Sequence, residues 1–356
     1  MKRRLALLLL ALLLLPLPAS RAEETPLYTA QALLDFHLRM EPEHTYYLAP
    51  VPNDALVRVY EYGEEWCRVG YKNETGWAKT KWLYAFMALD PLNHPLPHRQ
   101  AAVGILRLTE ETRIAGGDFS GLAAAPGALV AVTKANQTGY ALPVFRESCA
   151  LSLEAGEYCA FAPWDAAAPG DVIGAFTTYY NEKTGGKLAE ARAYNIALGC
   201  ERIDGARLAP GEEFSFNALC GPYRKSNGYQ KAPNISRDGV GYGGGVCQVT
   251  TTLYNALLCL PLRITDWSVH RRSGIPYARQ YFDAAVGSYS DLRFVNTLPY
   301  PIALTALPQG GAVTALISRA AAEEYGTINM RGYPFFESQR TGTPAAFPRI
   351  HTKKAI

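Results

Sequence analysis

Among the seven cysteines of the chain, Cys247 stands in the setting best suited to chemistry. Gly243-Gly244-Gly245 precede it, and a glycine run lets backbone approach closely and take dihedrals closed to other residues. Val249, Leu253, Leu257 and Leu260 then recur at helical spacing, which predicts a helix starting near Cys247. The first N–H groups of a helix lack intrahelical acceptors, and the dipole there favours negative charge. Thiols at helix starts are in general more nucleophilic than a free cysteine, and the same N–H groups can hold an oxyanion. A cysteine nucleophile also needs a base. The chain offers six histidines: His37, His44, His94, His98, His270 and His351. The competing reading is that a cysteine between glycines and a helix simply packs, since free cysteine is among the most buried residue types.

The elements that would position this thiol can be sketched from periodicity. Phe176 to Tyr180 is β-prone, and Ala193, Ile196, Ala197 and Cys200 predict a helix over 189–200. Pro210-Gly211 reads as a turn ahead of a short strand ending near Asn217. Ile264 to His270 predicts a strand in which alternation puts His270 on one face with Asp266 and Ser268, opposite Trp267 and Val269. Upstream, Ala128–Val132 and Gly139–Val144 read as strands of a possible small β-unit within 91–170, behind a Pro- and His-rich linker at 91–100. Cys149 and Cys159 flank Leu151–Tyr158 and could clip a hairpin. Leu27, Ala30, Leu33, Leu34 and His37 fit a short helix.

The first residues bear on compartment. Met1-Lys2-Arg3-Arg4 is basic, Leu5 to Leu15 is an unbroken Leu/Ala run, and Ser20-Arg21-Ala22 supplies small residues for cleavage. This is the pattern of a secretory signal peptide over 1–22, too short for an ordinary membrane-spanning helix of about 20 residues. The remainder is expected to act outside the cytoplasm, secreted or wall-associated, with no further membrane span. About 330 residues then suggest two or three domains. The formal net charge is +3 with no long basic run, which argues against nucleic acid as a partner.

Two resemblances follow from particular residues. Val57 to Leu83 alternates in short strands around the turn Lys72-Asn73-Glu74-Thr75-Gly76 and ends in Gly76-Trp77 and Trp82-Leu83. This segment resembles bacterial SH3 domains. The resemblance implies a small β-barrel within 23–90 and binding of a cell-wall polymer or peptide, with Trp66, Trp77 and Trp82 as candidate ligand contacts. Those aromatics would equally serve as the core of a spacer domain.

Residues 171–320 resemble the VanW family. The matching pieces are Thr177-Thr178-Tyr179, Arg192 to Asn195, Pro210 to Asn217, Gly243 to Ala256, Ser290 to Asn296 and Tyr300 to Ile302. The resemblance implies a mixed α+β domain associated with the bacterial cell wall and with glycopeptide-resistance gene clusters. The expected fold class is therefore α+β, an SH3-like barrel followed by a VanW-like domain, with 321–356 as a tail. Only His270 lies inside the VanW-like region. The family also has a histidine there, followed by positions that Tyr277 and Asp283-Ala284-Ala285-Val286 fit. The loop departs from the family in its length before Tyr277 and in Tyr281, where glycine is usual. Asp283 could orient His270, completing a Cys247–His270–Asp283 set. The same three residues could instead hold a metal, although paired ligand spacing is missing. Glu212, Asn217, Gln248, Tyr254 and Arg293, with Arg192 and Asn195, are candidate contacts of the same cleft. No cofactor is expected. Two functions stay open: a protein that binds or helps remodel peptidoglycan, and a cysteine-dependent peptidoglycan peptidase or transpeptidase.

Overall fold

A computed structural model describes residues 24–91, 93, 102–116, 119–144, 147–180, 186–234, 239–270, 275–278, 282–309, 311–320 and 350–352. The signal-peptide region 1–22, Tyr281 and nearly all of 321–356 lie outside the described residues. The chain groups into two compact units, Met1–Tyr84 and Ala85–Ile356.

The first unit is built on seven strands: β1 (Tyr28–Ala32), β2 (Phe36–Arg39), β3 (Tyr47–Val51), β4 (Leu56–Glu61), β5 (Trp66–Tyr71), β6 (Glu74–Lys79) and β7 (Leu83–Ala88). Their order is β3-β2-β6-β5-β4-β1-β7. The sheet has β3 and β7 at its ends, and no closing pair is seen among the described residues. The helix expected over Pro26–His37 is replaced by β1 and β2. Tyr28, Ala30 and Ala32 are buried in strict alternation, and Ala30 pairs with Val57. The helical spacing of Leu27 and Leu34 was coincidental, for Leu34 is exposed. Lys72-Asn73 makes the two-residue β5–β6 hairpin, with Lys72 at φ 53°. Trp66 is buried, packs edge-on to Trp82, and receives the Arg39 guanidinium 5.1 Å from its ring centroid.

The second unit opens with eight short strands: β8 (Gly104–Leu108), β9 (Thr112–Gly116), β10 (Phe119–Ala124), β11 (Leu129–Val132), β12 (Lys134–Asn136), β13 (Gly139–Val144), β14 (Glu147–Leu151) and β15 (Gly156–Ala160). They form small sheets ordered β11-β8-β15 and β12-β13-β14, with β9 paired to β10. The hairpin clip between Cys149 and Cys159 does not exist. The two residues sit on β14 and β15, strands of different sheets, and are not joined to each other.

The rest of the unit contains β16 (Val172–Tyr179), α1 (Lys187–Ile203), β17 (Arg207–Leu208), β18 (Glu213–Ser215), α2 (Phe216–Cys220), β19 (Lys231–Pro233), β20 (Val240–Tyr242), α3 (Val246–Leu257), β21 (Arg263–Asp266), β22 (Arg293–Val295), β23 (Ile302–Pro308) and β24 (Ala312–Arg319). The main sheet is β16-β24-β23-β17, flanked by β18-β22-β21 and the β19–β20 hairpin. The secondary structure is mixed but dominated by strands, as the α+β expectation has it. One core joins Ile196, Leu253, Leu257, Phe294 and Ile317 with Ile105, Leu129 and Ala131 of the upstream strands. Buried Gln309 acts there as a substitute strand. Its Oε1 accepts from Leu129 N at 2.8 Å and its Nε2 donates to Leu129 O at 2.7 Å. That satisfies backbone groups that burial would otherwise penalise. Among the described residues no helix is long and apolar enough to cross a membrane.

Candidate functional site

The glycine run before α3 has a steric cause. A Cβ on Gly244 would come within 2.5 Å of the Ala232 and Pro233 carbonyl oxygens on the β19–β20 hairpin. Gly245, at φ 106°, is the residue from which α3 starts, and a Cβ there would lie 2.9 Å from Arg192 Cγ. Buried Asn195 of α1 clamps this crossing. Its Nδ2 donates to Gln230 O and Gly244 O, and its Oδ1 accepts from Gln230 N. Packing against α1 thus fixes the point at which α3 begins and puts Cys247 in its first turn.

Cys247, Thr251 and Asn255 recur every four residues, so they share one face of α3. All three hold the segment 282–286. Asn255 Nδ2 donates to Phe282 O at 2.7 Å, Thr251 Oγ1 accepts from Ala284 N at 3.0 Å, and Val286 N donates to Cys247 Sγ at 3.5 Å. From the other side Trp267 Nε1 donates to Asp283 O at 2.8 Å, and Ala285 N to Ser268 O at 2.7 Å. Asp283 is pinned between two supports and turned toward His270. Its Oδ2 accepts from His270 N at 2.8 Å and lies 2.6 Å from His270 Nδ1. That contact leaves Nε2 as the ring nitrogen for another partner; the Cys247 thiol itself donates to Val286 O at 3.6 Å and is near enough to the ring to favour its charged form.

Burial works against a charged His270, yet the hydrogen bonds with Asp283 and Cys247 outweigh it, and the ring is pushed up to about 9. The His270 and Asp283 side chains are only 10% and 8% exposed, so water screens their contact weakly. Cys247 is half-buried, and its own N–H, in the first turn of α3, has no intrahelical acceptor. The neighbouring Val246 and Gln248 amides are already bonded to Gly243 O and Gly245 O. Around the thiol stand Arg192, Tyr277 and Tyr223, each of which feels its charge. Among the described residues no cluster of His, Cys, Asp or Glu side chains forms a metal site. The arrangement thus has a thiol, an imidazole able to accept and return its proton, a carboxylate orienting the imidazole, and an unengaged amide at the helix start.

Other sequence candidates fall in different places. Gln248 is fully buried and structural. Its Nε2 donates to Thr178 Oγ1 and Tyr179 O, and its Oε1 accepts from Arg192 at 2.6 Å. Asn217 takes the Tyr223 hydroxyl on Oδ1 and donates to Gly287 O and Ser290 O, steadying the segment just beyond Val286. Tyr254 is buried and stacks on Trp267 at 4.5 Å, so it supports Trp267 rather than lining a cleft. Glu212 closes its own turn by accepting Ala209 N, and Arg293 pairs with Glu213, which Thr265 also bonds. Neither is aimed at the thiol. Trp66, Trp77 and Trp82 belong to the first unit. The strand expected to reach His270 stops at Asp266. Trp267 leaves the ladder to stack on Tyr254, so contact with Asp283, not strand alternation, orients the imidazole. Thr251, Asn255 and Tyr223 were not singled out from the sequence. Polar residues at 251 and 255, spaced with Cys247 along an otherwise apolar helix, were the available signal.

Residues 191–318 match the family model described as VanW like protein. A Bacillus subtilis (strain 168) protein, YoaR, itself described as uncharacterised, is 36% identical over 144 residues, covering 40% of this chain and 46% of YoaR. The vancomycin B-type resistance protein VanW of Enterococcus faecalis is 30% identical over 95 residues, covering 26% of this chain and 34% of that protein. The chain thus spans less than half the length of either relative. No solved structure matches significantly. Residues 191–318 of the second unit are thus similar to the VanW family, and Cys247, His270 and Asp283 all lie within that matched span.

Proposed function

We propose that this protein is an exported cysteine-dependent peptidase or transpeptidase acting on the peptide part of peptidoglycan. The single observation behind this reading is the grouping of Cys247, His270 and Asp283: Asp283 Oδ2 lies 2.6 Å from His270 Nδ1, and the thiol is close enough to the same ring to favour its charged form. A merely packed cysteine needs neither a buried carboxylate nor an imidazole beside it. In the reaction Cys247 gives its proton to His270 Nε2, and Sγ bonds to the carbonyl carbon of an amide. The Cys247 N–H meets the oxyanion. The carbon–nitrogen bond then breaks, and the imidazolium returns its proton to the leaving amine. Water or a second amine attacks the thioester, restores the thiol and yields an acid or a new amide.

The wall as location is supported by the signal-like start of the chain and by the name of the Enterococcus relative. The first unit supports an SH3-type wall-binding role through its β4–β5–β6 meander and the short turn Thr80–Trp82 leading into β7. The test compares wild type with Cys247→Ala on purified sacculi, with mass spectrometry of the released fragments. Cleaved or exchanged peptides from wild type alone are expected. Identical fragments from both proteins would leave only the binding and remodelling role.

A further inference from the structure

Among the described residues Arg192 is a cation without a carboxylate partner. Its side chain leaves α1, passes Gly245 and ends with one hydrogen bond, Nη2 to Gln248 Oε1 at 2.6 Å. The Tyr180 and Tyr277 rings flank the guanidinium at 5.5 and 5.9 Å from their centroids. Among the described residues no carboxylate pairs with it. A guanidinium has five donors, and an enclosed one with a single neutral partner is unusual, since buried charge is normally paired. Gln248 cannot turn away, because its amide nitrogen is committed to Thr178 and Tyr179. Tyr277 is held as well, through Thr251. The guanidinium is therefore fixed in place, its stem beside the residue two before Cys247 and its tip bonded to the residue after it. The thiolate is poorly placed to be its intended anion, for Val286 N and His270 already serve the sulfur.

We infer that Arg192 is a specificity residue that binds the free C-terminal carboxylate of the substrate peptide, so that Cys247 acts on the last peptide bond. A carboxylate takes two parallel N–H bonds from one guanidinium. The carboxylate of a terminal residue lies about one residue, ~3.8 Å, beyond the scissile carbonyl, and Arg192 is near enough to the thiol to interact with its charge. The tyrosine rings on either side suit an acid with a small apolar side chain. This inference rests on the acyl-transfer reading above and narrows it to an exo-acting enzyme. Sγ bonds to the penultimate carbonyl carbon, the terminal amino acid leaves with the His270 proton on its nitrogen, and water or an amine resolves the thioester.

The experiment uses the full chain and two synthetic stem peptides of one sequence, one ending in a carboxylate and the other in a carboxamide. Release of the terminal residue is followed by mass spectrometry. Wild type is expected to favour the acid by about 10- to 100-fold in kcat/KM, the scale of a charged hydrogen-bonded pair. Arg192→Lys should keep part of that preference, and Arg192→Met should bring the ratio close to one. The wild-type comparison stands alone if a variant misfolds. Equal rates on both peptides, with Cys247 still required, overturn the role of Arg192 and leave the cysteine mechanism intact. Loss of the terminal residue at the same rate in Cys247→Ala, or from neither peptide, overturns both.

Discussion

Replacing Asp283 by Asn removes the charge opposite His270 while keeping the size of the side chain. The imidazole is buried, so without the carboxylate its ionised form loses the partner that offsets desolvation. Its pKa should fall from about 9 toward the unperturbed 6.5, with Cys247 retaining part of the upward shift. Loss of the full shift would correspond to about 3 kcal/mol at 1.36 kcal/mol per unit, which is the upper bound for Asp283. The sign follows from linkage. A histidine whose folded pKa exceeds its unfolded value adds stability that is fully present below about pH 6.5 and is lost as pH rises through about 9. Cys247, which also raises the ring, remains in the variant. Urea unfolding of wild type and Asp283→Asn from pH 6 to 10 should show a difference that shrinks by up to about 3 kcal/mol between pH 6.5 and 9. The His270 ring protons, followed by NMR, should titrate near 9 in wild type. A stability difference flat across this range, or a wild-type midpoint near 6.5, would refute the buried ion-pair argument.

Three further outcomes can be checked with standard assays. Iodoacetamide near pH 7 should label Cys247 at least about tenfold faster than half-buried Cys159 or Cys259, and His270→Ala should remove the excess. Burial shields Cys67, Cys200 and Cys220 and pushes their thiols up, Cys220 to about 12, so these should stay unlabelled in the folded protein. Gly245→Ala combines φ 106° with a Cβ 2.9 Å from Arg192 Cγ and should lower stability by about 1–3 kcal/mol in chemical unfolding, with slower Cys247 labelling as α3 shifts. Gln309→Ala strands the buried Leu129 N–H, while Leu129 O keeps Thr314. It should cost about 1–3 kcal/mol by the same method without changing labelling at Cys247.

Much of the second unit could be read from sequence because its helices are strongly periodic. The spacing of Ile196 and Cys200, and of Val249, Leu253 and Leu257, placed α1 and α3 within a few residues of their ends. The cysteine at the start of α3 followed from the same pattern. Failures came where tertiary contacts override local rhythm. Tyr28 to Arg39 mixes spacings of two and of three to four, and only pairing with β4 selects strand. His270 was expected from strand alternation, but Trp267 breaks the strand by stacking on Tyr254, and Asp283 then sets the ring. The lack of an acid opposite Arg192 was invisible, since sequence says nothing about which carboxylates stay away. Cys149 and Cys159 looked bridgeable because proximity in sequence was taken for proximity in a sheet.

The most direct measurement is intact-protein mass spectrometry after brief incubation with a stem peptide, followed by peptide mapping under acid to preserve a thioester. An added acyl mass on the peptide containing Cys247, absent from Cys247→Ala and reduced in His270→Ala where the thiol lacks its base, is the predicted result. A protein that changes the substrate while never carrying that mass, or carrying it on another cysteine, would contradict the account.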